Sequence, residues 1–157
     1  RFFREGSAKE QEEEDYIAPV VLACMNMARK KTGALIAIQG TSDLTPYQHA
    51  GERFLAAVNA RLIETIFFKN SPLHDGAMII AGGKICAAGC ILPVASDTDL
   101  NKDLGLRHRS ALGLSQKTDA KIIIISEERG TISLAYRSEI IVDITPDELR
   151  ALLSSED

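Results

Sequence analysis

The sequence predicts a single α/β domain in which helices flank a mixed β-sheet. Its 157 residues suit one globular domain, and a second full domain would be unusual at this length. Hydrophobic residues make up 45% of the chain and charged residues 25%, values typical of globular proteins rather than of disordered chains. Short apolar runs of strand length alternate with segments of helical periodicity, and no repeat or linker interrupts residues 16–153.

The N-terminal part of the chain predicts a linker, a helix and a strand, in that order. Residues 1–15 hold six acidic and three basic side chains, so we expect a solvated acidic linker. Apolar residues at helical spacing begin near Tyr16, with Asp15 as the expected N-cap and Gly33 as the expected end of the helix. The apolar run at residues 34–38 is predicted to be a buried strand.

The middle of the chain predicts a helix and a hairpin. Turn residues dominate positions 41–51, which leaves room for at most a short helix. Asn59 is expected to cap a second helix over residues 60–68. A β-hairpin is then predicted from residues 77–81, the turn Gly82-Gly83 and residues 84–92.

The C-terminal part predicts one helix, three strands and a final helix. A helix is expected over residues 107–116, followed by a strand at 121–126 that contains four consecutive isoleucines. Shorter strands are expected at 131–136 and 138–142. Residues 145–148 read Thr-Pro-Asp-Glu, a capping box with proline at the first helical position, which predicts the start of the last helix.

The composition argues against several classes of protein. A net charge of −4 provides no strong positive field for nonspecific nucleic-acid binding. Aromatic residues make up only 5% of the chain and Trp is absent, which argues against a surface on which bases stack. No apolar run approaches the roughly 20 residues that a membrane helix needs. Cys24, Cys86 and Cys90 are too few for a disulfide framework and are expected to be small core residues in a reducing compartment.

The first of three candidate segments is Ser71-Pro-Leu-His-Asp-Gly-Ala77, which precedes a predicted buried strand. The carboxylate of Asp75 could bind a metal ion or accept a proton, and Gly76 would let a ligand approach the backbone closely. The alternative interpretation is structural, because Asp-Gly is also a common pair in turns.

The second segment is Gly105-Leu-Arg-His-Arg-Ser110, at a predicted helix start. Arginine is well shaped for phosphate, and a helix N-terminus adds backbone N–H donors. Arg107 and Arg109 are two residues apart, so they could converge on one ligand only if one of them precedes the helix. An exposed basic patch is the alternative interpretation.

The third segment is Ser126-Glu-Glu-Arg-Gly130, at the end of the isoleucine-rich strand. A hydroxyl and two carboxylates at a strand end suit a divalent cation or a ribose, whereas a charged hairpin turn is the structural alternative. Together the three segments fit metal-assisted handling of a nucleoside triphosphate. A Walker loop, a GxGxxG motif and zinc-type ligand spacing are all absent from the sequence.

These three motifs, in this order, resemble the diadenylate cyclase (DAC) domain, and the resemblance extends from about Tyr16 to Tyr136. The start Arg1-Phe-Phe-Arg4 resembles the segment that follows the membrane helices in the membrane-anchored bacterial branch of that family. The resemblance implies the DAC fold, with residues 1–15 as a linker after a removed membrane anchor and residues 16–157 as the catalytic domain. It places the full-length protein at the cytoplasmic face of the cell membrane and makes this fragment soluble.

The resemblance also implies an activity. Two ATP molecules would condense to cyclic di-AMP and two pyrophosphates at a face-to-face dimer of the domain, assisted by Mg²⁺ or Mn²⁺. Regulatory protein partners in the membrane or cytosol would fit this branch, whereas nucleic acid is not an expected partner. A nucleotide sensor of the same fold with little turnover is the main alternative, and an RNA- or DNA-binding domain is a third hypothesis.

The resemblance also implies roles for individual residues. Asp75 would promote deprotonation of the ribose 3′-OH, directly or through the metal, for which His74 and Glu128 are further candidate ligands. The other expected nucleotide contacts are Gly76 and Ala77 by backbone, Leu92 on the adenine, Leu106, Arg107, His108 and Arg109 near the triphosphate, and Ser126, Glu127 and Glu128. Two departures weaken the match, because Leu106 stands where many members carry Thr and Ile91 where many anchored members carry Tyr.

Overall fold

The computed structural model describes residues 15–96 and 104–155, and within them the chain forms seven strands and five helices. The expected linker at residues 1–15 lies outside the described residues except for Asp15. The elements in chain order are α1 (Ile17–Lys30), β1 (Ala34–Ile38), α2 (Thr45–Gln48), β2 (Glu52–Ala57), α3 (Ala60–Phe67), β3 (Ala77–Ala81), β4 (Lys84–Cys90), α4 (Leu106–Lys117), β5 (Lys121–Ile125), β6 (Ile132–Tyr136), β7 (Glu139–Ile141) and α5 (Pro146–Ser154).

All seven strands belong to one mixed sheet, in the order β2-β4-β3-β1-β5-β6-β7. The β1–β3 pair is parallel and every other pair is antiparallel. The central strand β1 is buried at every position, as expected for a strand covered on both faces. The predicted α/β class with a mixed sheet flanked by helices is therefore confirmed.

Helices cover both faces of this sheet. On one face, α1, α3 and α5 contribute Val20, Ile63 and Leu149 to a core cluster that also contains Ile36 of β1. On the other face, Leu114 of α4 packs in a second cluster with residues of β1, β3 and β5. The isoleucines of β5 alternate between the two clusters, which explains why the strand has no polar position from Ile122 to Ile125.

Both predicted ends of α1 are wrong. The N-cap is Tyr16 rather than Asp15, and no side chain caps the helix there. At the other end Lys31, not Gly33, adopts the left-handed conformation, with φ of 56°. The N–H of Lys31 donates to the Ala28 carbonyl and the N–H of Thr32 donates to the Met27 carbonyl, which is a Schellman ending.

The strand β2 has no counterpart among the predicted elements. It pairs only with β4 and forms an edge of the sheet, and most of its side chains are partly or fully exposed. Leu55, for example, is 76% exposed. An edge strand of this kind lacks the apolar alternation by which a half-buried strand is recognised.

The remaining local predictions agree with the structure to within one or two residues. Asn59 Oδ1 accepts from the Leu62 N–H at 3.1 Å, and Thr145 and Glu148 form the complete capping box. Gly82 and Gly83 have φ of 58° and 73°, as a two-residue hairpin turn requires. The three cysteines are free thiols, of which Cys24 and Cys90 lie in the core as expected, whereas Cys86 is only half-buried. Burial raises the pKa of Cys24 to about 12. None of the helices formed by residues 15–96 and 104–155 has the length and apolar character needed to span a membrane.

Candidate active site

The register of the strands brings the first and third candidate segments to one edge of the sheet, and the second segment lines the groove along that edge. Ala77 pairs with Cys90 and Ala34 pairs with Ile125, so β1 and β3 begin where β4 and β5 end. The first segment therefore precedes β3, and the third follows β5, two strand positions away. Strands lie about 4.8 Å apart, which separates the two segments by about 10 Å. An open groove of about 1510 Å³ runs along this edge.

The position of this groove differs from the usual rule for open α/β sheets. Ligands there lie beyond the carboxyl ends of parallel strands. Here the amino ends of the parallel pair β1 and β3 border the groove. Their antiparallel neighbours β5 and β4 contribute carboxyl ends to the same side.

Most of the predicted site residues line the groove, and two do not. Ala77 is fully buried in β3, and Arg109 is absent from the lining residues. Helix α4 begins at Leu106, so Arg107 and Arg109 both lie in its first turn and do not converge in the way the phosphate interpretation needed. The predicted residues that line the groove are His74, Asp75, Gly76, Leu92, Leu106, Arg107, His108, Ser126, Glu127 and Glu128.

His74 and Asp75 form a close pair at the start of β3. His74 Nδ1 lies 2.8 Å from the Ser71 carbonyl oxygen, which can only accept, so Nδ1 carries the hydrogen. The other ring nitrogen, Nε2, faces Asp75 Oδ1 at 3.3 Å. A proton or a cation between these two atoms would satisfy both of them.

Gly76 fixes the backbone from which Asp75 projects. Its φ of 93° lies in the region that favours glycine. A Cβ at this position would lie 2.8 Å from the Cys90 carbonyl oxygen and from the Gly89 carbonyl carbon. The chain at Gly76 is thus pressed against β4, whereas the Asp75 side chain remains 88% exposed.

Helix α4 points its first turn at the groove because it packs very closely on the segment after β4. A Cβ at Gly113 would lie 2.0 Å from the Pro93 carbonyl oxygen, so a larger residue would push the helix away. The Ala95 N–H donates to the Arg109 carbonyl at 3.0 Å and ties the same segment to the start of the helix. Arg107 and His108 reach the groove as a result.

His108 is a buried histidine between two guanidinium groups. Burial lowers its pKa first, and the positive charges of Arg129 and Arg107 lower it further. The neutral imidazole is therefore favoured at neutral pH. A neutral imidazole can donate one hydrogen bond to an anion without adding charge to this cationic region.

The third segment is both a hairpin turn and a wall of the groove. The Gly130 N–H donates to the Ser126 carbonyl at 2.8 Å, and the Arg129 N–H donates to Ser126 Oγ at 3.1 Å. The Ser126 hydroxyl keeps its own hydrogen for donation. A Cβ at Gly130 would lie 2.5 Å from the Ala28 carbonyl oxygen, so the turn packs on the end of α1.

That packing brings to the groove several residues to which no functional role was assigned from the sequence. Arg129 belonged to a motif chosen for its acids, and Lys30 and Lys31 belonged to no candidate segment. Their position in the same groove as Arg107 follows from tertiary packing, and no sequence spacing signals it. The groove-lining residues without an earlier role include Lys30, Lys31, Phe68, Lys69, Arg129 and Asp143.

The residues of one chain offer few ligands to a metal ion. No group of three or more His, Cys, Asp and Glu side chains gathers anywhere in residues 15–96 and 104–155. Asp75 and His74 are adjacent, and Glu128 is not grouped with them. Mg²⁺ nevertheless needs few protein ligands, because it binds through one or two carboxylates together with substrate phosphates.

An anion-binding helix start, several cations and an exposed carboxylate in one open groove define an α/β domain suited to a nucleoside polyphosphate. Comparison with known proteins agrees: residues 21–140 match the DAC family, described as "DisA bacterial checkpoint controller nucleotide-binding". The chain belongs to this family.

Similar proteins with names or structures come from several bacteria. The "Diadenylate cyclase" of Listeria monocytogenes (serotype 1/2a) is 39% identical over 155 residues, which cover 99% of this chain and 57% of that protein. The crystal structure of a double-cysteine variant of DacA from Staphylococcus aureus has a TM-score of 0.88 and 38% identity, and the match covers 92% of this chain and 96% of that one. A "hypothetical membrane spanning protein" from Bacillus cereus has a TM-score of 0.78 and 35% identity, covering 82% and 63%. The chain thus spans little more than half the length of the curated relative.

Proposed function

We propose that this domain is a diadenylate cyclase that condenses two ATP molecules into cyclic di-AMP and two pyrophosphates. One observation carries the proposal. The exposed Asp75, the helix start with Arg107 and His108, and the turn at residues 126–130 meet in one groove, in a chain of the DAC family. The name of the Listeria monocytogenes relative supports the same reaction.

The groove would hold one ATP molecule. Arg107, His108 and the N–H groups at the start of α4 would bind the phosphates, with Ser126 donating its hydroxyl hydrogen. Leu92, which is 4% exposed, would pack against the adenine. Gly76 would contact the nucleotide by its backbone, and Glu127 and Glu128 would lie near the phosphates. Ala77 and Arg109 would act only indirectly, since neither lines the groove.

Each half-reaction is a nucleotidyl transfer. The 3′-oxygen of one ATP attacks the α-phosphorus of the other, a P–O bond forms, the bond to the β-phosphate oxygen breaks, and pyrophosphate leaves with that electron pair. Asp75 would accept the 3′-OH proton and pass it to water. The second transfer closes the ring. Positioning and charge neutralisation supply most of the rate enhancement in such phosphoryl chemistry.

Asp75 and His74 would hold a divalent cation. Neighbouring ligands on one small cation lie about 3 Å apart, and Asp75 Oδ1 and His74 Nε2 are 3.3 Å apart. Such an ion lowers the pKa of an oxygen it binds and offsets negative charge on phosphate. Glu128 would contribute only through the phosphates that it approaches.

Two copies of the domain would face each other. One groove binds one ATP, and both reacting nucleotides must present a 3′-OH to the α-phosphorus of the other. The exposure of Asp75 supports this arrangement, because a carboxylate that acts within its own groove would be expected to be less open to solvent. Exposed apolar side chains at the rim, including Ile91 at 74% and Leu106 at 68%, would be partly covered in the dimer.

We also propose that the domain works at the cytoplasmic face of a membrane as part of a longer protein that regulatory proteins contact there. The membrane-spanning description of the Bacillus cereus relative supports this placement. Fractionation of cells that express the full-length gene would test it, with the domain expected in the membrane pellet. Recovery in the soluble fraction would contradict the proposal.

A nucleotide sensor is the alternative function, and the rim residues favour it. Leu106 and Ile91 are apolar and exposed where a hydroxyl and an aromatic ring would contact nucleotide in many relatives. Such a sensor would bind ATP or cyclic di-AMP in a calorimeter and form no product.

The decisive experiment incubates the purified domain with ATP and either Mg²⁺ or Mn²⁺ across a range of protein concentrations. We expect cyclic di-AMP and pyrophosphate in a 1:2 ratio, and no product with EDTA. ATP binding without product under all these conditions would favour the sensor, and neither binding nor product would contradict both functions.

A further inference from the structure

Gly33 lies between α1 and β1, directly against the guanidinium group of Arg107. A Cβ built on Gly33 would lie 2.5 Å from Arg107 Cζ, 2.5 Å from Nη1 and 2.8 Å from Nη2. Cβ atoms in proteins do not approach other heavy atoms this closely. The Arg107 guanidinium therefore occupies the space that any side chain at position 33 would need.

The guanidinium group presents its face to Gly33. In an edge-on approach the two nitrogens would lie closer to the Cβ position than Cζ does. Here neither nitrogen is closer than Cζ, and the three distances differ by only a few tenths of an ångström. The N–H bonds of arginine lie in the plane of the group and point away from its faces. Contact with Gly33 thus occupies one face of the group and leaves its in-plane donors free of that contact, in a residue that lines the groove.

The backbone does not require glycine at this position. The glycines with positive φ are Gly76, Gly82, Gly83, Gly89 and Gly130, and Gly33 is not among them. An alanine could adopt the same backbone conformation, so the close contact with Arg107 is what favours glycine here.

Gly33 is also fixed on both sides. The Schellman ending of α1 precedes it, with the Thr32 N–H donating to the Met27 carbonyl at 2.8 Å. Ala34 follows it and pairs with Ile125 in the centre of the sheet. The guanidinium therefore lies on a rigid surface. No oxygen atom of the described residues accepts a hydrogen bond from Arg107, so this surface is the contact that orients the group before a ligand arrives.

We propose that Gly33 is a positioning residue for Arg107. Because Gly33 lacks a side chain, the guanidinium can pack directly on its backbone, and this contact holds the in-plane N–H groups in an orientation that faces a bound phosphate. The role of that phosphate rests on the proposed function, in which it belongs to ATP. Preorganisation of this kind increases affinity because less side-chain freedom is lost on binding.

The test is a double-mutant cycle with Gly33→Ala and Arg107→Ala, measured as ATP affinity in the presence of Mg²⁺. We expect each single variant to raise the Kd for ATP about tenfold, the loss of one charge-assisted contact. In the Arg107→Ala background, which is the matched control, Gly33→Ala should change the Kd by less than about twofold. Additive losses, or a Gly33→Ala protein with wild-type affinity, would overturn the proposal. If the wild-type protein does not bind ATP at all, that result would instead contradict the proposed function, and this role with it.

A measurement without ATP tests the contact between Gly33 and Arg107 independently of nucleotide binding. The Arg107 Nε–Hε resonance of the wild type, assigned by its loss in Arg107→Ala, should shift and broaden in Gly33→Ala. An unchanged resonance would overturn the proposal whatever ATP does. If Gly33→Ala folds poorly, removal of the clashing guanidinium in the double variant should restore the wild-type melting temperature. A double variant that also fails to fold would contradict a contact limited to Arg107.

Discussion

Asp75 and His108 lie in opposite environments of the same groove. The Asp75 carboxylate is 88% exposed, and His108 is 8% exposed and close to two arginines. In the proposed reaction, this exposure would let Asp75 reach atoms that belong to a second nucleotide. Burial gives His108 a fixed orientation and a lowered pKa, so that it can donate a hydrogen bond while uncharged.

Asp75→Asn should abolish product formation without harming the fold. The amide keeps the shape of the side chain but cannot accept the 3′-OH proton, and general-base catalysis contributes roughly 10²–10⁴-fold. We expect turnover to fall at least about 100-fold, with an unchanged melting temperature because the side chain is exposed. Asp147→Asn, an exposed aspartate on α5 outside the groove, is the matched control. Wild-type turnover by Asp75→Asn would contradict the assigned role.

His108 should make the domain less stable in mild acid. Its folded-state pKa lies below the ordinary value of 6.5, so below that pH the unfolded chain binds more protons than the folded one. The contribution of the neutral histidine to stability is thus complete above about pH 7 and declines as the pH falls through 6.5 towards the lowered value. Urea unfolding of the wild type and His108→Gln from pH 5 to 8 measures it. We expect the stability advantage of the wild type to shrink in acid, and a constant difference would contradict the interpretation.

Single motifs predicted ten of the residues that line the groove, but not which other residues would meet them there. The Asp-Gly pair at residues 75–76 and the Arg-His pair at 107–108 both line the groove as expected. Arg129 was not assigned a role, because its proximity to His108 depends on how the β5–β6 turn packs on α1. The separation of Arg107 from Arg109 follows from the exact start of α4, which sequence patterns locate only to within a few residues.

At the scale of elements, predictability follows burial and local chemistry. The hairpin of β3 and β4 and the capping box of α5 depend on neighbouring residues, and both were predicted. The edge strand β2 was not, because its stability comes from pairing with β4, a partner about 30 residues away in sequence. Likewise, Gly33 was the stronger local signal for the end of α1. The helix instead ends two residues earlier, at Lys31, which adopts the left-handed conformation.

Thr145→Ala should destabilise the domain and leave the groove unaffected. Thr145 Oγ1 accepts from the Glu148 N–H at 3.1 Å, and loss of such an N-cap costs about 1 kcal/mol. Helix α5 packs on α1 away from the groove, so ATP affinity should remain unchanged. Chemical denaturation measures the free energy of unfolding. Ser154→Ala, which removes an exposed hydroxyl at the other end of α5, is the matched control and should cost markedly less.

At the scale of the whole molecule, the charge of the domain is local rather than global. Residues 1–15 account for −3 of the net charge of −4, so residues 16–157 carry only −1. A nearly neutral domain does not attract polyanions over long distances. Lys30, Arg107 and Arg129 are among the cations that line the groove, where the triphosphate would bind, and acidic side chains, among them Asp75 and Glu128, line it as well. That nucleic acid is not a partner stays a prediction, which rests on this charge.

The reaction should depend on association of two domains, because each groove would bind one ATP and supply half of the reacting atoms. Turnover per chain is therefore expected to rise with protein concentration and to level off once the dimer predominates. Steady-state assays at saturating ATP, from nanomolar to high micromolar protein, measure this, and sedimentation under the same conditions gives the fraction of dimer. Leu106→Glu, which places a charge on an exposed rim residue, should shift both curves to higher concentration by the same factor. Turnover per chain that is constant while sedimentation reports a monomer would show that one domain suffices, and would contradict the face-to-face arrangement.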